Sequence, residues 1–191
     1  MSQPPLFESA PGLPDGFRYE PDLLDMREER ALVAAIEALP FKAFEFHGFE
    51  GKRRVVSYGW RYDFNEAKLR EAPPVPDFFH AVRARAARFA GLEADAIVQL
   101  LVTEYEPPAA IGWHRDRPVF SDVIGVSLLA PCTFRLRKKL GRGWARASLA
   151  LAPGSVYLLR GPARWEWEHS IPAVEALRYS LTFRTLAGRS D

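Results

Sequence analysis

Apolar and polar positions change their period several times along this chain. Between Met26 and Leu39, the residues Leu32, Val33, Ile36 and Leu39 recur at helical spacing behind Asp25, whose short carboxylate suits an N-cap, and Pro40 stops the run. From Phe41 to Phe64 the chain turns to aromatic and β-branched residues punctuated by Gly48, Gly51 and Gly59, which predicts strands joined by tight turns. The run Pro73-Pro74-Val75-Pro76 breaks that pattern. Asp77 is then expected to cap a second helix with Phe78, Phe79, Val82 and Phe89 on or near one face.

Beyond Gly91 the pattern is almost wholly β, with strands expected at 97–104, 111–116, 123–129, 133–139, 144–151, 155–159, 166–170 and 179–185. Short strands with Gly and Pro between them predict a sandwich or jelly roll: a mainly β protein with flanking helices (α+β), the two N-terminal helices packed on its outer face. Residues 1–16 carry Pro4, Pro5, Pro11 and Pro14 and read as an irregular arm. No repeat, low-complexity tract or linker divides the rest, so residues 17–191 are expected to form one domain.

Composition narrows the class. A chain of 191 residues with 48% hydrophobic and 13% aromatic side chains can bury a substantial core. Its single cysteine, Cys132, cannot form an internal disulfide. No leader pattern and no run of about 18 apolar residues is present, so a cytoplasmic, monomeric protein with no membrane partner is expected. Net charge +2 does not by itself demand a nucleic-acid partner, but the basic residues are mostly arginine, the better residue for bidentate carboxylate and phosphate recognition.

The candidate chemistry lies in His114, Asp116 and His169. Along a strand, His114 and Asp116 would share one face about 7 Å apart, and a third ligand would come from another strand. Two imidazoles and a carboxylate form the facial set that suits non-haem iron(II) and leaves positions open for co-substrate and oxygen. Manganese, cobalt or zinc would fit the same ligands, and only a redox-active ion allows oxygen chemistry. A His-x-Asp pair alone is weak, since a packed strand histidine beside a carboxylate is the commoner case. The weight comes from His169 and the following run Arg178-Tyr179-Ser180-Leu181-Thr182-Phe183-Arg184, whose two arginines offer a fixed grip on a dicarboxylate. His47 and His80 lack such a context and read as structural.

These residues resemble the AlkB-like dioxygenases, which depend on iron(II) and 2-oxoglutarate. Matching segments include Phe17-Arg18-Tyr19-Glu20-Pro21, similar to the family's leading strand, and Arg54-Val55-Val56-Ser57-Tyr58-Gly59-Trp60-Arg61-Tyr62-Asp63-Phe64. Glu104-Tyr105-Glu106-Pro107, Trp113-His114-Arg115-Asp116, Gly161-Pro162-Ala163-Arg164-Trp165-Glu166-Trp167-Glu168-His169-Ser170 and Arg178 to Arg184 follow in the same order. The resemblance implies a double-stranded β-helix over about 97–186 and a substrate lid over about 41–64. It implies that His114, Asp116 and His169 hold Fe(II), the catalytic centre, with O2 as second co-substrate. Arg178, helped by the Tyr105 hydroxyl, would take the distal carboxylate of 2-oxoglutarate, with Arg184 nearer the chelating end. Ser180 and Thr103 stand where many members have asparagine and are also expected to contact the co-substrate.

The implied activity is oxidative demethylation, the hydroxylation of N-methyl groups, on nucleic acid, with alkylated DNA preferred to RNA. In the lid, Lys52, Arg53, Arg54, Trp60, Arg61 and Tyr62 interleave cations with aromatics, as a phosphate backbone and a stacked base require, and Arg117 is expected to join them. The segment from Arg135 to Arg146 reads as a basic hairpin that extends this footprint or simply protects a strand edge. Pro118 stands where DNA-repairing relatives carry an acidic residue, which leaves open a dioxygenase acting on a methylated protein residue or small molecule. A non-catalytic binding module is the third reading, opposed by the intact set of three ligands and two arginines.

Overall fold

The structure, a computed structural model, describes residues 12–46 and 49–188; residues 1–11 of the arm expected at 1–16, His47 and the end of the chain fall outside them. The strands are β1 Phe17–Glu20, β2 Lys42–Phe46, β3 Phe49–Tyr58, β4 Trp60–Asp63, β5 Lys68–Glu71, β6 Gln99–Tyr105, β7 Ile111–His114, β8 Phe120–Leu128, β9 Cys132–Leu140, β10 Gly143–Leu151, β11 Val156–Leu159, β12 Glu168–Ile171 and β13 Arg178–Leu186. The helices are α1 Met26–Ile36, α2 His80–Ala90 and the short α3 Gly161–Trp165. Seven strands form one sheet in the order β1-β11-β8-β13-β6-β3-β2, four form a second in the order β10-β9-β12-β7, and β4-β5 make a separate hairpin. Two antiparallel sheets in this arrangement are the jelly roll that the sequence pattern and the resemblance predict.

Strand alternation divides the core in two. Leu100 and Val102 of β6, Ile124, Val126 and Leu128 of β8, and Tyr179, Leu181 and Phe183 of β13 point outward and are buried against Leu32, Val33 and Ile36 of α1 and Val82, Ala86 and Phe89 of α2. The intervening residues point between the sheets, where Tyr105, Val123, Tyr157 and Leu159 meet Phe134, Leu136, Leu151 and Ile171. Every second residue of β13 therefore belongs to the inter-sheet cleft: Arg178, Ser180, Thr182 and Arg184.

Local chemistry explains most element ends and several departures. Asp25 caps α1 as expected, accepting from the Glu28 amide at 2.8 Å, while the Glu28 carboxylate receives the Asp25 amide at 3.0 Å, a reciprocal capping box. Asp77 does not cap α2. The proline run holds Pro76 extended, Asp77–Phe79 forms a 3₁₀ turn, and α2 begins only at His80 with Phe79 as its N-cap. The strand expected at 166–170 is present as β12 but begins two residues later, at Glu168, after the short helix α3 that Pro162, with no amide hydrogen to satisfy, helps to start. The strand expected at 111–116 stops at His114, which leaves Asp116 beyond its end.

Candidate metal centre

His114 ends β7 and His169 sits in β12, and the two residues are direct cross-strand partners. Their rings lie 4.2 Å apart between centroids. Asp116 lies two residues past the strand with its Oδ2 3.6 Å from His169 Nε2, and one potential ligand atom from each of the three residues falls within 4.8 Å of the others. His114 and Asp116 thus face the same cleft, as their i, i+2 spacing predicts, although the strand itself ends at His114.

Electrostatics favour metal binding over protonation. Burial, followed by repulsion from His114, drives His169 down to about 3. Burial also lowers His114. Both imidazoles are neutral near pH 7, so the His169–Asp116 approach is a convergence of lone pairs, not an ion pair. His114 Nδ1 lies 2.8 Å from the Gly112 carbonyl and must donate to it, which directs Nε2 into the cleft. Burial opposes charge on Asp116, but Arg184, His169 and His114 together outweigh it and hold the carboxyl below the ordinary carboxylate range. Arg184 Nε donates to Asp116 Oδ1 at 2.7 Å, and its Nη1 donates to Gln99 Oε1 at 2.8 Å. Two neutral imidazoles and a fixed carboxylate suit a divalent ion.

Arg178 lies deeper in the same cleft and is 1% exposed. Its Nε donates to Ser127 Oγ at 3.1 Å and its guanidinium stands 4.9 Å from the Tyr105 ring, while Nη1 is buried without a partner. An orphaned guanidinium donor costs free energy unless an anion meets it, so the cleft fits a carboxylate-bearing co-substrate. Thr103, Tyr105 and Ser180 line that cleft with Arg178 and Arg184.

Sequence reasoning missed Tyr157, which lines the cleft and packs against Phe17 and Phe134. Phe134 stacks in turn on His169. The overlooked signal is Gly125: a Cβ there would meet the Tyr157 ring at 2.2 Å, so the glycine in β8 makes room for a large side chain opposite.

The expected substrate residues separate. Arg53 points into the cleft and its guanidinium lies 4.5 Å from the Phe44 ring. Phe44 meets Phe64 edge to face at 5.7 Å, and Phe64 meets Tyr62 in the same way at 5.2 Å. Arg117, just past Asp116, covers both Tyr62 and Phe64 at 5.2 and 4.8 Å. Arg54, one residue from Arg53 and therefore on the opposite side of β3, is held by Glu104 through bonds of 2.6 and 2.9 Å. Trp60 lines a second cleft with Pro74, Pro76, His80 and Arg83, away from the metal centre. Arg61 is exposed on the β4–β5 hairpin and Lys52 on β3.

Comparison with known proteins places these observations in context. Residues 23–184 match the profile described as the 2OG-Fe(II) oxygenase superfamily. The chain is 38% identical over 170 residues to the bovine (Bos taurus) alpha-ketoglutarate-dependent dioxygenase alkB homolog 7, mitochondrial, covering 83% of this chain and 68% of the relative. It is 27% identical over 191 residues to an Arabidopsis thaliana alkylated DNA repair protein ALKBH8 homolog, covering 87% of this chain and about half, 53%, of that protein's length. The solved structure of OsALKBH1 superposes with a TM-score of 0.69 at 16% identity, covering 91% of this chain and 98% of the other, and so matches in fold. A Burkholderia pseudomallei oxidoreductase of the 2OG-Fe(II) oxygenase family superposes with a TM-score of 0.62 at 20% identity, covering 91% and 88%.

Proposed function

The chain belongs to the 2OG-Fe(II) oxygenase superfamily as an AlkB-like dioxygenase, and from that membership we propose that it removes N-methyl groups oxidatively from nucleic acid, alkylated DNA before RNA, as a monomeric cytoplasmic enzyme. The family uses Fe(II), 2-oxoglutarate and O2, and that set, when bound, oxidises a substrate C–H bond so that a hydroxylated N-methyl group leaves as formaldehyde. In this reading His114, Asp116 and His169 hold the metal through neutral imidazoles and one ionised carboxylate. Arg184 fixes the carboxylate from behind. Arg178 uses its unpartnered Nη1, beside the Tyr105 ring, to take the distal carboxylate of the 2-oxo acid, and the hydroxyls of Thr103 and Ser180 line the same floor.

The observation that carries the substrate class is the layer of Arg53, Phe44, Phe64, Tyr62 and Arg117 beside the metal centre. Guanidinium groups held over aromatic rings place cations for phosphate beside half-buried rings that offer edges and faces to a base, a combination that binds single strands without regard to sequence. The name of the Arabidopsis relative points in the same direction. Methylated single-stranded oligonucleotides incubated with Fe(II), ascorbate and 2-oxoglutarate are expected to lose methyl groups by mass spectrometry, and DNA and RNA probes rank the two polymers.

One observation favours a second reading. Arg54 is held by Glu104 and Trp60 lines the other cleft, so one cation and one stacking ring fewer surround the metal centre than the lid pattern predicts. A methylated protein residue or small molecule then becomes the substrate, and the same assay decides: succinate formed without loss of methyl from any oligonucleotide supports this alternative. The non-catalytic module is excluded by that same succinate.

A further inference from the structure

Resting on the nucleic-acid reading above, we propose that the outer face of the four-stranded sheet, formed by Trp113, Arg135, Arg137, Lys139, Trp144 and Arg146, is a second contact surface for the single-stranded phosphate backbone that flanks the target base. The pleat separates this face cleanly from the core. In β9, Phe134 and Leu136 are buried between the sheets while Arg135, Arg137 and Lys139 point the other way. In β10, Ala147 and Leu149 turn inward, and Trp144, Arg146 and Ser148 turn outward opposite Lys139, Arg137 and Arg135 respectively. Both long helices pack on the seven-stranded sheet, so none of them covers this face.

The charge here is one-sided. No acidic residue stands between Asp122 and Glu166 in the sequence. Of the cations on this face and its turn, Arg137 is paired with Glu168 at 2.6 Å and Lys138 with Glu166. Lys139, Arg142 and Arg146 are exposed and meet no carboxylate among the described residues, and Arg135 donates only to the Ser170 hydroxyl at 3.2 Å. In a chain of net charge +2 this is a local concentration that a polyanion complements.

Its organisation suits a strand better than a diffuse anion. Arg137 lies between Trp113 at 4.4 Å and Trp144 at 4.2 Å, Arg135 stands over Trp113 at 5.4 Å, and Lys139 Nζ over Trp144 at 5.0 Å. Stacking fixes these cations, and Lys139, with no carboxylate partner among the described residues, stays available, which lowers the ordering cost of a phosphate contact. The row runs across four strands, roughly 14 Å, and begins on the edge strand β7. There Trp113 immediately precedes His114. A strand whose target base enters the cleft therefore passes over that edge onto the basic face.

The test replaces exposed cations outside the metal centre. Lys139→Ser, Arg142→Ser and Arg146→Ser are combined, and a second protein carries Arg27→Ser, Arg30→Ser and Arg88→Ser, an equal loss of charge on the helical side. Anisotropy with a labelled oligothymidylate is measured from low to high salt, beside succinate formation without nucleic acid. The sheet variant is expected to bind at least about tenfold more weakly at low salt, with a slope of log K against log salt smaller by about 2, since each lost single-strand contact removes roughly 0.7. Its uncoupled succinate formation stays at the parental level, and the helix variant binds as the parent does. Equal affinity and slope in the sheet variant, or equal losses in both variants, overturns the surface while the nucleic-acid reading stands. Vesicles of phosphatidylserine bound by the parent and lost by the sheet variant, with oligonucleotide binding unchanged, assign the face to a membrane and also overturn it. A parent protein that binds no oligonucleotide at all overturns the reading beneath it.

Discussion

Arg184 Nε donates to Asp116 Oδ1 at 2.7 Å, while the same guanidinium reaches Gln99 with its other arm. Asp116 lies just outside any strand, so this contact fixes the direction of its carboxylate. Arg184→Ala is expected to weaken Mn(II) binding, read by electron paramagnetic resonance, by about 10- to 100-fold, the range for losing an orienting partner. Unchanged metal affinity would show that the backbone after β7 alone sets the carboxylate.

The histidines carry a pH signature. His169 titrates near 3 in the folded protein against about 6.5 unfolded, because burial disfavours its cation. The depressed value means that the unfolded chain takes up a proton first as pH falls. Metal-free protein is then expected to lose stability progressively from about pH 6.5 toward pH 3, and nitrogen-detected NMR should find His169 neutral at pH 5. Asp116 acts below that window: its depressed carboxyl contributes stability above about pH 4 and loses it as pH falls further. A His169 that protonates near 6.5 would contradict the buried geometry.

Arg178 is the clearest measure of co-substrate binding. Removing a charge-assisted donor is worth about 1.5–3 kcal/mol, so Arg178→Gln should raise the 2-oxoglutarate Kd by about 10- to 150-fold in Mn(II)-loaded protein by calorimetry. Metal affinity should change little. A Kd within twofold of the parent would move the distal carboxylate elsewhere.

Arg53 and Arg54 are neighbours with opposite expectations. Arg53→Ala should weaken binding of a methylated oligonucleotide in a salt-dependent way, because its guanidinium lies in the cleft. Arg54→Ala should leave that affinity alone and lower the melting temperature, since it leaves the buried carboxylate of Glu104 with only the Tyr179 hydroxyl at 3.3 Å. Reversed outcomes would require β3 to present its other face.

Metal exchange tests the chemistry itself. Chelation should abolish turnover, Fe(II) should restore it, and Zn(II) at the same ligands should inhibit, being unable to change oxidation state. Turnover by a strictly iron-free, zinc-loaded protein would sink the oxygenase reaction.

The sequence by itself determined the class of the fold and where its chemistry lies. Period-2 apolar runs from Gln99 to Leu186 specify strands locally, and the order of His114, His169, Arg178 and Arg184 is written in the chain. The Asp25 N-cap is equally local and legible, while its reciprocal bond with Glu28 emerges only from the structure. Tertiary structure decided the rest, because it depends on which strands pair. Only the β7–β12 register sets His114 against His169, and only the β3–β6 pairing sends Arg53 to the cleft and Arg54 to Glu104. Tyr157 is invisible as a site residue until β11 pairs with β8 and places it over Gly125. Asp116 shares the cleft with His114 through local spacing, but its partner Arg184, nearly seventy residues later, is brought to it only by the fold. A side chain's face follows from local alternation, but its neighbours follow from pairings that close long loops, and no local pattern encodes those.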